Sequence, residues 1–158
     1  MLRRVTLVPV IDTAIYAAGD VLFATTKIPG AIYRNSGSSR VIGLTVRCYD
    51  DIAPVLNFVF LRSNVALGTI NEAPSITDAN ADYVTGVAHI LAADWLDLGG
   101  VRVAQTALGD GLLTQPIMAQ AEDGTRDIYV AAYIVSGTPT FATAANINFD
   151  VWLSEETS

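Results

Sequence analysis

The chain contains one histidine and one cysteine, so it has few of the side chains on which nucleophilic and metal-based catalysis usually depend. His89 lies in the apolar run GVAHILAA, and Cys48 alternates with Leu44 and Val46 along a strand-like segment. A catalytic triad, or a zinc site built from several His and Cys ligands, needs more of these residues. A Cys48–His89 nucleophile pair is conceivable but has no supporting motif. We therefore expect a structural histidine, a buried thiol and no enzymatic activity.

The acidic residues offer one candidate cation site. In the stretch DANADYVTGVAH, Asp78, Asn80 and Asp82 match the first three ligand positions of an EF-hand loop. The sixth position of that loop requires glycine and is Tyr83, and the twelfth requires a bidentate glutamate and is His89. We expect a solvated helix N-terminus here, with a looser cation site at Asp78 and Asp82 as the alternative. No metal and no cofactor are predicted.

The charge balance argues against two classes of partner. The net charge is -7, and the chain has nine Lys and Arg residues, of which only Lys27 is a lysine. Nucleic-acid binding requires a basic surface that neutralises phosphates, so no nucleic-acid partner is expected. No apolar run approaches the roughly 18 residues of a membrane span, so no membrane partner is expected either. The basic start MLRRVTLVPVID is interrupted by Pro9 and Asp12, which argues against a secretory leader.

The composition points to association with other proteins. Hydrophobic residues make up 51% of the 158 residues, whereas charged residues make up 16%, against about 25% in ordinary soluble domains. Some apolar surface is therefore expected to be covered by a partner, and another copy of the chain is the simplest one. The length is that of a single domain, residues 1–158, with a substantial core of its own.

The pattern of short β-rich runs separated by Gly, Pro, Asn, Asp and Ser predicts an all-β fold. We expect a single-domain β-sandwich, jelly-roll-like, with one short helix near residues 75–83 that opens on a capping box at Ser75. DWLDLGG is predicted to be a turn. The nine predicted strands are 5–11, 21–26, 41–49, 55–62, 84–91, 101–108, 117–121, 128–135 and 147–153. The predicted core residues are Ile42, Leu44, Val46, Leu56, Phe58, Phe60, Val130, Ala132, Ile134, Phe149 and Val151.

Three stretches together resemble a family of small tailed-phage virion proteins of the capsid cement or decoration type. They are VTLVPVIDTAIYAAGDVL, ANADYVTGVAHILAADWLDLGG and DIYVAAYIVSGTPTFATAANINFDVWL. The resemblance implies a structural protein that stabilises the phage head by bridging major capsid subunits. It also implies a location on the outer capsid surface of the virion, and in the host cytoplasm during assembly. The matching positions are Tyr16, Gly19, Asp20, Asp94, Trp95, Asp97, Gly99, Tyr129, Ala131, Gly137, Thr138, Pro139, Thr140 and Phe141.

Two partners follow from this reading: other copies of the chain, most simply as a homotrimer, and the major capsid protein. A trimer suits the three-fold positions of a capsid, and closed symmetry prevents runaway polymerisation. The alternative is a carbohydrate-binding or host-adhesion module of the tail or fibre, for which Trp95 with Asp94 and Asp97 is the candidate cluster. The residues expected at a capsid or subunit interface are Leu2, Arg3, Arg4, Trp95 and Trp152.

Overall fold

The computed structural model describes residues 2–107 and 116–155, which form an antiparallel β-sandwich. The all-β prediction is confirmed. Within these residues the elements are β1 (Leu2–Leu7), β2 (Val21–Ile28), β3 (Ser38–Cys48), β4 (Val55–Leu61), α1 (Asp78–Ala81), β5 (Val84–Ile90), a 3-10 turn (Ala92–Asp94), β6 (Trp95–Asp97), β7 (Arg102–Ala107), β8 (Ile117–Gln120), β9 (Ile128–Ser136) and β10 (Ile147–Glu155).

The strand order is that of a jelly roll. The first sheet has the order β1-β10-β3-β7-β6. Both β7 and β8 pair with the same edge of β3: β7 pairs with residues 43–48, and β8 pairs with residues 38–41. The second sheet has the order β2-β9-β4-β5. The chain crosses between the sheets at β1–β2, β2–β3, β3–β4, β5–β6, β8–β9 and β9–β10. The first and last strands, β1 and β10, lie side by side. This is the double Greek-key arrangement that the sequence pattern predicts.

The core lies between the two sheets because most strands alternate apolar and polar side chains. Three rings form its centre: Phe149 lies 5.6 Å from Phe23 and 5.1 Å from Phe58, measured between ring centroids. All of the predicted core residues are buried except Ile42. The hydrophobic alternation therefore identified which side of nearly every strand faces the other sheet.

Ile42 is the exception because β3 contains a bulge. Trp152 pairs with Gly43 and Leu153 pairs with Val41, so Ile42 has no partner of its own on β10. An extra residue reverses the inside–outside alternation beyond it. Val41 therefore takes the buried position, and Ile42 lies on the outer side of the sheet.

Several element boundaries also differ from the prediction, and three of these differences have a clear local cause. The first strand begins at Leu2 and ends at Leu7, because Pro9 has no N–H to donate to a ladder. The helix is shorter than predicted, and its N-cap is Thr77, which accepts a hydrogen bond from the Asn80 N–H. Residues Trp95–Asp97 are not a turn but β6, which pairs with β7.

The two sheets differ in how far other segments of the chain cover their outer faces. Residues 62–77 fold across the second sheet and form a small apolar cluster in which Leu67 packs with Val59 and Ala131. The Thr25 hydroxyl donates a 2.7 Å hydrogen bond to the Val65 carbonyl and holds this segment in place. Among residues 2–107 and 116–155, no segment covers the outer face of the first sheet in the same way.

Four connections meet at one end of the sandwich and are called here the loop end: residues 8–20, 49–54, 91–101 and 137–146. Backbone hydrogen bonds join them, from Ile11 N–H to the Ala144 carbonyl at 3.1 Å and from Tyr49 N–H to the Asn146 carbonyl at 2.8 Å. The buried Tyr16 hydroxyl accepts a hydrogen bond from the Asp12 N–H. Burial raises the pKa of Tyr16 to about 12. The backbone hydrogen bonds join residues 8–20 and 49–54 to residues 137–146, and the Trp95 indole N–H, which donates to the Pro54 carbonyl at 2.8 Å, joins residues 91–101 to them.

Candidate functional site

The outer face of the first sheet brings together three of the residues that the sequence predicts at an interface. Leu2 and Arg4 project from β1, Trp152 projects from β10, and the bulge adds Ile42 from β3. We call this surface the Trp152 face. At its centre is a shallow cavity of about 250 Å³, lined by Leu2, Ile42, Gly43, Gln105, Thr106 and Trp152.

Trp152 is held in a single orientation by two neighbours. Its indole N–H donates a 3.1 Å hydrogen bond to the Thr45 hydroxyl on β3. The Arg4 guanidinium lies 5.8 Å from the centre of its ring, in the geometry of a cation–π contact. The indole is half-buried. The ring is therefore ordered before any partner arrives, which lowers the entropic cost of binding.

A buried acid supports the same face. Asp150 points toward the outer side of the sheet, yet its side chain is only 2% exposed because Thr6 and Arg47 close over it. The Thr6 hydroxyl and an Arg47 N–H each donate a 2.6 Å hydrogen bond to its carboxylate. Burial alone would raise the pKa of Asp150, but these hydrogen bonds and the positive charges of Arg47 and Arg4 hold it below its ordinary value. The ion pair between Asp150 on β10 and Arg47 on β3 therefore joins these two strands beneath the Trp152 face.

Arg3 lies next to this surface but points the other way. Its guanidinium donates to the Gly30 carbonyl and forms a 2.8 Å ion pair with Glu155, whose side chain is almost fully buried. Arg3 therefore fastens the start of β1 to the end of β10. Leu2 and Arg4, its neighbours on the strand, are the residues that the face presents.

The structure places Trp95 inside the sandwich, away from the Trp152 face. Trp95 is 8% exposed, and its indole N–H donates a 2.8 Å hydrogen bond to the Pro54 carbonyl. Its two acidic neighbours also have local roles: Asp94 accepts from the Leu91 N–H and Asp97 accepts from the Gly99 N–H. This cluster closes the loop end and does not present a ring on which a sugar could stack.

The structure does not bring the histidine and the cysteine together. Cys48 is fully buried between the sheets, and burial raises the pKa of its thiol to about 11. His89 is exposed on the outer side of the second sheet, where its ring contacts Asn57. Asp78 and Asp82 are both exposed at the two ends of α1. Over residues 2–107 and 116–155, no group of three or more His, Cys, Asp or Glu side chains could hold a metal ion.

Two features of the Trp152 face could not be found from sequence. Alternation with Phe149 and Val151 correctly indicates that Asp150 and Trp152 point outward, but it gives no sign that Asp150 is covered. Ile42 joins the face only because of the bulge opposite Trp152. Both features depend on the neighbouring strands, which are far away in the sequence.

No protein-family model matches the chain, and no curated protein matches it. Among solved structures, one chain from the "Structure of infectious bursal disease virus Gt strain" aligns with 12% identity and a TM-score of 0.18. The alignment covers 96% of this chain and 39% of the viral chain, so the protein spans well under half of that chain's length. Within the described residues, no helix has the length and apolar character needed to cross a membrane.

Proposed function

We propose that this protein is a structural component of a phage virion, of the cement or decoration type, which stabilises the head by contacts between protein subunits. The observation that carries the proposal is the asymmetry of the sandwich. Residues 62–77 cover part of one outer face, whereas the other outer face presents an ordered Trp, Arg and Leu cluster without a cover among the described residues. On the particle, we expect this face to be buried against the major capsid protein or a neighbouring copy.

The composition of the Trp152 face fits a protein contact. Trp and Arg are enriched among the few residues that carry most of the binding energy at interfaces. Leu2 is exposed beside them, and the central cavity can receive an apolar side chain from a partner. Because hydrogen bonds already order Trp152 and Asp150, little side-chain freedom is lost on binding.

A carbohydrate-binding or host-adhesion role is the alternative. Such a site needs exposed aromatic rings beside hydrogen-bonding groups. The buried Trp95 does not provide one, and the ring of Trp152 is already in contact with Arg4. A protein contact through the Trp152 face is therefore the better supported function.

The proposal is tested by attachment of the purified chain to phage heads that lack it, followed by sedimentation of the heads. Trp152→Ala and Arg4→Ala should each reduce attachment by about tenfold or more, the loss expected for a binding hot spot. Val87→Ala is the matched control, because Val87 is exposed on the outer side of the second sheet and should bind as the unaltered chain does. Failure of the unaltered chain to attach, or equal attachment by all variants, would contradict the proposal.

A further inference from the structure

The loop end carries most of the exposed apolar surface of the described residues. Twelve large apolar side chains are exposed in residues 2–107 and 116–155. Seven of them lie in the four connections of the loop end, and Val135 lies just before the fourth. Concentrated exposed apolar surface marks an interaction site. The seven are Val8, Val10, Ile15, Tyr49, Leu91, Leu96 and Leu98.

The exposed side chains at the two sides of the loop end are far enough apart to contact an extended segment. Val10 and Ile15 follow β1, whereas Leu96 lies on β6 and Leu98 directly after it. Strands β1 and β6 are opposite edges of the first sheet, and four strand spacings correspond to about 19 Å. A cleft of about 240 Å³ opens between the second and fourth connections, which adjoin the central strands β3 and β10. About six residues of extended chain cover this distance at 3.3 Å per residue.

The loop end is also strongly acidic. Its four connections contain six aspartates and no lysine or arginine. Arg102, at the start of β7, forms ion pairs with Asp51 at 2.9 Å and with Asp97 at 3.4 Å. Six negative charges against this one positive charge leave a clear negative excess. The six aspartates are Asp12, Asp20, Asp50, Asp51, Asp94 and Asp97.

The hydrogen bonds that other aspartates make within the loop end do not cancel their charge. Asp94 accepts from the Leu91 N–H at 2.7 Å, and Asp50 accepts from the Asn146 side-chain amide at 2.9 Å. Both donors are neutral, so the carboxylates keep their negative charge. Such a surface attracts lysine and arginine and repels acidic proteins and anionic lipids. A partner that covers the loop end must therefore be basic as well as apolar.

A second copy of this chain does not have that character. Its net charge is -7, and at least five of its nine lysine and arginine side chains are already paired with an acid of their own chain. Two such copies repel each other, and neither offers unpaired positive charge in excess. The occupant that the charges favour is therefore a different protein. The paired cations are Arg3, Lys27, Arg47, Arg62 and Arg102.

We propose that the loop end docks an extended segment of a different protein that carries lysine or arginine next to large apolar side chains. The apolar side chains contact the cleft and Leu96 and Leu98. The cationic side chains pair with exposed aspartates such as Asp51 and Asp97, which together face a single arginine. This inference goes beyond the proposed function, because it assigns a second contact surface and the chemistry of what binds there. It does not depend on the Trp152 face.

The probe is a short fluorescent peptide built from lysine and leucine. Two further peptides separate charge from apolar contact: in one, glutamate replaces every lysine, and in the other, serine replaces every leucine. Fluorescence anisotropy measures the Kd of each peptide for the full chain. We expect the lysine–leucine peptide to bind about tenfold or more tightly than either control peptide. Its affinity should fall as salt rises, because salt screens exposed charges.

The apolar contact is tested with Leu96→Ser combined with Leu98→Ser. These side chains are 63% and 61% exposed, so their replacement should leave the fold intact. We expect the Kd of the lysine–leucine peptide to rise about tenfold, as for a residue that carries binding energy. Val87→Ser is the matched control, because Val87 is exposed on the second sheet outside the loop end. Circular dichroism and thermal melting verify folding, and Ile15→Ser replaces the double variant if it does not fold.

The charge contact is tested with Asp51→Asn combined with Asp97→Asn. Loss of two exposed ion pairs should raise the Kd by about threefold, and the remaining binding should depend less on salt. Asp78→Asn combined with Asp123→Asn is the matched control. It removes the same charge from exposed positions outside the loop end, and it should bind as the unaltered chain does.

Nuclear magnetic resonance of the ¹⁵N-labelled chain locates the bound peptide directly. We expect the shifted amide signals to belong to the four connections of the loop end. None of these measurements uses phage heads, so failure of this inference is distinguishable from failure of the proposed function.

Three results would overturn the inference. The first is that the lysine–leucine peptide does not bind, or that the glutamate peptide binds equally well. The second is that the loop-end variants bind like their controls, or that the shifted signals lie on another surface. The third is that the unaltered chain self-associates in analytical ultracentrifugation and the Leu96→Ser, Leu98→Ser variant does not, because another copy would then occupy the loop end.

Discussion

At the scale of single residues, the Trp152 face depends on an ion pair that the solvent hardly reaches. Asp150 accepts hydrogen bonds from Thr6 on β1 and from Arg47 on β3, so a single carboxylate on the central strand β10 holds both of its neighbours. Removing one partner of such a pair is costly because the remaining group loses its compensation. The same residue therefore affects stability and the shape of the contact surface.

Asp150→Asn should lower the free energy of unfolding at neutral pH by about 1–3 kcal/mol, the contribution of hydrogen bonds to a charged group. The folded state lowers the pKa of Asp150. Its stabilisation is therefore present above the unfolded pKa of about 3.9, and it is lost as pH falls through the lower folded value. Urea titrations at a series of pH values should show the difference between the variant and the unaltered chain closing as the solution becomes acidic.

Asp123→Asn is the control for this measurement, because Asp123 is exposed in the connection between β8 and β9. It should leave the unfolding free energy nearly unchanged at every pH. Two results would show that the ionised pair does not stabilise the sheet. One is that Asp150→Asn and the unaltered chain are equally stable at neutral pH. The other is that their difference in stability stays the same in acid.

The two tryptophans show what can be predicted from sequence at this scale. Trp152 lies in a strand whose alternation with Val151 and Leu153 indicates that it points outward, and it does. Trp95 lies in a segment that looks like a turn, where no alternation is available to orient it. Its burial depends on the pairing of β6 with β7 and on the Pro54 carbonyl, which is 41 residues away.

At the scale of elements, β1 is an edge strand whose first half contributes Leu2 and Arg4 to the Trp152 face. The sequence suggests that residues 1–4 form a terminal grip whose removal would leave the core folded. In the structure, Leu2, Arg3 and Arg4 pair with Ser154, Leu153 and Trp152 of the same chain. All three residues are therefore part of the sandwich, and Leu2 and Arg4 also belong to the Trp152 face.

Removal of residues 1–4 should destabilise the fold by roughly 3 kcal/mol, the cost of leaving a buried partner without its counter-ion. The truncation removes half of the β1–β10 ladder and takes Arg3 away from Glu155. Arg4→Ala is the comparison, because it alters the Trp152 face while keeping the ladder, and it should change stability much less. Urea denaturation measures the free energy of unfolding of each protein. A truncated chain that is as stable as the full chain would contradict this role of β1.

The strands themselves were largely predictable because local alternation determines which side faces the core. The bulge at Ile42 was not predictable, since it exists only in the register between β3 and β10. The cover over the second sheet was missed for the same reason. Residues 62–77 contain scattered apolar side chains, and only the folded chain shows that Leu67 packs onto Val59 and Ala131.

At the scale of the whole molecule, residues 62–77 cover part of one outer face of the sandwich, and no described segment covers the other in the same way. The low charged fraction of 16% is consistent with this division, because apolar side chains remain exposed at the loop end and on the Trp152 face.

The central claim is that this chain coats the phage head and buries its Trp152 face there. The most direct test is a cryo-electron microscopy reconstruction of the native virion that encodes it. We expect density for this jelly roll on the outer surface of the head, grouped around three-fold positions, with Trp152 and Leu2 covered by a neighbouring subunit. A head without such density, or one in which the Trp152 face points to solvent, would contradict the claim.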